Sequence, residues 1–90
     1  MKLIGVDRVL EVYRRSDDEL VSEIPLSLSL TQLKGIVTPE PFDDYNLYRP
    51  YELTFEQADK LINLAEISMN FDYELFFYVL ECHGIYDWYS

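Results

Sequence analysis

Basic residues run out early in this chain. Of its 90 residues seven are Lys or Arg, and none follows Lys60, while 17 are Asp or Glu. The formal net charge of −10 repels DNA, RNA and anionic membranes and speeds encounter with basic partners. There is one cysteine, Cys82, so no internal disulfide can form, and its neighbours give no metal-ligand spacing. A reducing, cytoplasmic setting is the expectation. With a single histidine, His83, a catalytic triad or a histidine-based metal site has little to work with. Three scattered glycines, Gly5, Gly35 and Gly84, provide no phosphate-binding loop. Asp7 and Arg8 interrupt the first apolar run before a secretory core could form, and no run approaches a membrane span. No cofactor, metal, nucleic acid or membrane partner is expected.

What is present is apolar and aromatic. Hydrophobic residues make up 49% of the chain and aromatics 16%, enough to close one core and too much for disorder. Ninety residues cannot divide into two parts that each bury a useful core, so a single domain over 1–90 is expected. Val6 to Tyr13 reads as a strand, with Val9, Glu11 and Tyr13 on one face and Leu10 and Val12 on the other. The polar run RRSDDE supplies a turn, in which Ser16 or Asp17 can bond nearby backbone. Leu20 to Leu26 returns as a second strand, and Pro25 confines it to an edge or ends it.

Two capping boxes follow. Ser29 with Gln32 starts a short helix to about Ile36, closed by Gly35 and Thr38-Pro39, and Thr54 with Gln57 starts a helix from Phe55 to about Leu64. The latter carries Phe55, Ala58, Leu61, Ile62 and Ala65 on one stripe. Between them, residues 38–50 hold three prolines and no period, and read as an ordered surface loop. Ile67, Met69 and Phe71 alternate with Ser68, Asn70 and Asp72, the pattern of a half-buried strand. From Tyr73 to His83 the spacing of Phe76, Phe77 and Leu80, with Asp72 as a cap and Gly84 beyond, predicts a helix, although FFYV is rich in strand formers. Residues 85–90 are expected to run over the surface. The expected fold class is α+β: a small antiparallel sheet, made of an N-terminal hairpin plus a later strand, covered by two or three helices.

No catalytic constellation stands out. His83 at a helix end would complement the dipole, Cys82 would be a core cysteine, and Asp17, Asp18 and Glu19 would form a solvated turn. A small enzyme would need a pocket pairing His83 with a carboxylate. Two clusters differ: Asp43, Asp44, Tyr45 and Tyr48 in the loop, and Asp87, Trp88 and Tyr89 in the tail, beside Tyr86. Tyr and Trp anchor interfaces, and adjacent carboxylates can meet Arg or Lys of a partner. The alternative is that these rings fold back as lids on the core. These seven residues are the candidate partner-binding set; a self-associating subunit that pairs through Tyr86, Trp88 and Tyr89 is the second possibility, and the free chain is expected to be a monomer or weak homodimer.

The segments RVLEVYRRSDDELVSEIPL, YELTFEQADKL and YVLEC resemble small bacterial proteins encoded beside polymorphic toxins. In size and charge the chain is similar to immunity proteins of contact-dependent inhibition and bacteriocin systems. The resemblance implies a non-catalytic cytoplasmic inhibitor of a cognate toxin domain with a basic surface, a nuclease in many such systems.

Overall fold

The computed structural model describes residues 2–41, 47 and 49–87. Their order is β1 (Lys2–Arg14), β2 (Glu19–Leu26), α1 (Leu30–Lys34), β3 (Tyr51–Glu52), α2 (Phe55–Leu64) and β4 (Phe76–Asp87). The four strands form one antiparallel sheet in the order β2-β1-β4-β3. The α+β class expected from the sequence is what the chain adopts, with two helices among the described residues. Neither is long and apolar enough to cross a membrane.

Strand β1 holds the sheet together. Its partners run from Arg8↔Leu26 to Arg14↔Glu19 on one edge and from Lys2↔Asp87 to Arg14↔Phe76 on the other. Thirteen residues at about 3.4 Å each span a little over 40 Å, close to the molecule's longest dimension of 44 Å. The β1–β2 turn follows from its side chains. Asp17 accepts from the backbone N–H of Glu19 at 3.2 Å, and Asp18 takes the left-handed conformation at φ 56° that Asp tolerates. Arg14 grips Asp17 through two hydrogen bonds and reaches Glu19 at 2.7 Å. That contact holds the Asp17 carboxyl below its ordinary value. Pro25 lies on β2, an edge strand, where its missing N–H is tolerated.

Both capping boxes form as the sequence implies, Ser29 with Gln32 and Thr54 with Gln57. Each helix turns its buried residues, Leu33 from α1 and Ala58, Leu61 and Ile62 from α2, into one cluster with Leu10, Val12, Tyr78 and Leu80 of the sheet. Val37, Leu47 and Leu53 complete it from the connections.

Three expectations are corrected. The segment from Tyr73 to His83 is not helical: Phe76–Asp87 forms strand β4. The cap at Asp72 is real, since its Oδ1 accepts from Glu74 and Leu75 and its carbonyl from Phe76, but it closes a single turn. Beyond that turn the long edge of β1 offers twelve paired positions, and the strand formers FFYV take them. Residues 85–87, expected in a surface tail, continue the same strand. The alternation at Ile67, Met69 and Phe71 does report half-burial against the core, yet the segment pairs with no strand and has no strand assignment. It leaves α2 through Glu66 in the left-handed conformation at φ 54°, with Ile67 N–H bonded to the Ile62 carbonyl.

Tyr78, fully buried, accepts the Asp72 N–H at 3.1 Å through its hydroxyl. Leu10→Ala, at a fully buried site on the central strand, is expected to cost about 2–5 kcal/mol in urea unfolding. Tyr78→Phe, which strands the Asp72 N–H, is expected to cost about 1–2 kcal/mol. Burial also raises the Tyr78 phenol above 10.0, so the neutral ring stabilises the fold fully below about pH 10 and this contribution disappears as pH rises through the folded value. A spectrophotometric tyrosinate titration should therefore show a transition above the ordinary tyrosine range that Tyr78→Phe removes.

Candidate binding face of the sheet

Alternation along the strands sends Leu10, Val12, Tyr78 and Leu80 to the helices and the residues between them to the opposite face. That second face carries Asp7, Val9, Glu11 and Tyr13 from β1, Glu23 from β2, Glu52 from β3, and Phe77, Val79, Glu81 and His83 from β4. No described helix places a buried residue there. Val9 is buried and yet stands outside the main core cluster, which marks the two faces as separate environments.

The face is acidic, with an aromatic pair toward one end. Tyr13 and Phe77, partners in the β1–β4 register, stack with centroids 5.1 Å apart and planes at 10°. At one end a shallow recess is lined by Tyr13, Arg15, Asp18, Glu52, Phe77 and Val79 together with Pro50. Arg15 closes that end: its guanidinium lies 4.6 Å over the Tyr73 ring and 5.8 Å from Phe77, and its Nε donates to the Tyr73 carbonyl at 2.8 Å. At the other end Glu11, Tyr13, Glu81, Cys82, His83 and Gly84 line a second shallow recess, and no Lys or Arg lines it. Tyr13 belongs to both.

Glu11 is the unusual residue of this face. It is only 6% exposed, on β1 between the strands β2 and β4, and its Oε1 accepts from the Tyr13 hydroxyl at 3.0 Å. Burial of the phenol, that hydrogen bond, and the charges of Glu11, Glu81 and Glu23 together raise the Tyr13 pKa above its ordinary 10.0. His83, expected at a helix terminus, sits instead on β4 with Nε2 3.7 Å from Glu23 Oε1, both side chains about half exposed. Cys82 is half-buried and in no disulfide. It and His83 point to opposite faces because they are neighbours in a strand.

Of the partner-binding residues named from the sequence, Asp43, Asp44, Tyr45, Tyr48, Trp88 and Tyr89 lie outside the described residues. Asp87 is described only in its backbone, which closes strand β4 opposite Lys2. Sequence reasoning did not assemble Glu11, Tyr13, Phe77 and His83. The available signal was the placing of Val9, Glu11 and Tyr13 on one face of the first strand, opposite Leu10 and Val12; reading residues 73–83 as helix hid the partner strand.

The fold and this face define a small α+β domain with a helix-covered sheet and an acidic sheet face. Residues 7–81 match a domain of unknown function, DUF7683, and the chain belongs to that family. No curated protein and no solved structure matches the chain.

Replacing Glu11 by Gln removes both the acceptor charge and part of the field at Tyr13. In NMR titration of ring-labelled tyrosine, the Tyr13 phenol of Glu11→Gln is expected to ionise at lower pH than in the parent chain; an unchanged or higher midpoint would contradict the contact.

Proposed function

We propose that this domain is a cytoplasmic, non-catalytic immunity-type protein that binds and neutralises a toxin domain with a basic surface, a nuclease being the class best suited. The observation that carries the reading is the sheet face where Asp7, Glu11, Glu23, Glu52 and Glu81 lie together, flanked at one end by the Tyr13–Phe77 pair. A nuclease holds phosphates with Lys and Arg, so an inhibitor gains by presenting carboxylates to the same groups. The half-buried aromatic pair at the end of this acidic stretch adds apolar area to such a contact, and aromatic residues are among those that carry binding energy at interfaces. A net charge of −10 accelerates the encounter at low salt. The chain's resemblance to immunity proteins supports the same reading.

The test starts with a low-salt pull-down by the tagged protein from its source lysate, followed by co-expression of the captured protein with and without this chain. Capture of one basic protein whose toxicity this chain suppresses is the expected result; recovery of the chain alone would favour self-association instead. Against the purified partner, the double variant Glu23→Lys/Glu52→Lys should slow association about tenfold and flatten its salt dependence. Phe77→Ala should act mainly on the dissociation rate. Loss confined to Asp43→Lys/Asp44→Lys or Trp88→Ala would move the contact to the loop or tail, and unchanged affinity in every variant would refute the charge argument.

A further inference from the structure

On the same face, three side chains from three adjacent strands converge: Glu23 from β2, Glu11 from β1 and His83 from β4. Each offers one donor atom, and these atoms lie within 4.8 Å of one another, with His83 Nε2 and Glu23 Oε1 at 3.7 Å. We propose that Glu11, Glu23 and His83 form a binding site for one divalent transition-metal ion.

Four features carry this. A zinc-like ion held tetrahedrally at about 2.0–2.1 Å by imidazole nitrogen and carboxylate oxygen sets its donors about 3.4 Å apart. The Glu23–His83 separation of 3.7 Å already approximates that spacing, and rotation of these two exposed side chains brings the donors in. Next, the anchoring ligand is fixed. Glu11 is only 6% exposed and its carboxylate receives the Tyr13 hydroxyl at 3.0 Å, the kind of outer hydrogen bond that orients a metal-binding carboxylate.

The third feature is the register. Glu11 lies opposite Glu23, whereas His83 pairs with Asp7, four residues along β1. Glu23 and His83 therefore reach toward each other diagonally across β1, and Val9 and Glu11 on the stretch they cross are each only 6% exposed. Finally, the recess holding Glu11, Glu81 and His83 has no Lys or Arg in its lining, leaving its negative charge for a cation to neutralise. One imidazole with two carboxylates suits zinc and its neighbours among the divalent transition metals better than calcium or magnesium, which favour all-oxygen shells. Three protein donors leave a fourth position for water or for a donor from a partner.

The test uses the full chain without any partner, so it stands or falls separately from toxin binding. Zinc chloride titrated calorimetrically should bind one ion per chain. Because His83 is the sole histidine, its ring resonances report the site without ambiguity, and zinc should shift them with the metal on Nε2. His83→Ala and Glu23→Gln alter exposed side chains and should fold. Each is expected to weaken zinc at least about tenfold. Glu56→Gln, which removes the same charge from exposed α2, should leave affinity within about twofold. Cobalt(II) should give a visible absorption band that zinc displaces. Zinc that leaves the His83 ring unshifted, or that is weakened as much by Glu56→Gln as by His83→Ala, would overturn the proposal.

Discussion

Strand β1 exchanges backbone hydrogen bonds along both of its edges, and the rest of the molecule depends on that double ladder. Its pairing with β2 forms a local hairpin stabilised by the Arg14–Asp17–Glu19 turn. Its pairing with β4 joins residues more than sixty positions apart and runs from Lys2↔Asp87 to Arg14↔Phe76. Contacts of such separation carry a large ordering cost. Here the gain that offsets it comes from Leu10, Val12, Tyr78 and Leu80, which the ladder brings into one buried layer. The helices, short and capped at both N-termini, then need only lay their apolar stripes on that layer.

A sheet covered by helices on one side must settle what to do with the other. This chain places there a stacked aromatic pair, a half-exposed histidine and five carboxylates. Glu11 is nearly inaccessible on the central strand, and the Tyr13 hydroxyl is turned to it. A buried carboxylate loses hydration that must be replaced by hydrogen bonds or opposite charge. Tyr13 supplies a hydrogen bond but no charge. An acidic face so arranged gains from any cation that approaches it, whether a side chain of a protein or a metal ion.

Arg15 shows how few basic groups the chain spends, and where. Its backbone N–H donates to the Leu75 carbonyl, its Nε to that of Tyr73, and its guanidinium covers the Tyr73 ring. One cation thus fastens the end of the hairpin to the turn that launches β4. Phe55, Phe71 and Tyr73 extend this contact toward α2 as a chain of tilted and edge-on rings.

The sequence by itself determined what is local. The alternation of Val9, Glu11 and Tyr13 against Leu10 and Val12, the turn at Asp17, and the capping boxes at Ser29 and Thr54 all depend on residues within a few positions of one another, and all are found in the structure. The alternation at Ile67, Met69 and Phe71 gave burial but not strand, because a strand requires a partner edge and period alone cannot supply one. The stretch from Phe76 to His83 satisfied a helical spacing and a strand composition together. Only the tertiary structure decided between them, since the free edge of β1, distant in sequence, pairs with an extended chain and not with a helix. The same long-range pairing places His83 beside Glu23 and Glu11. No spacing along the chain encodes that meeting; it follows from the ladder register that joins the first strand to the last.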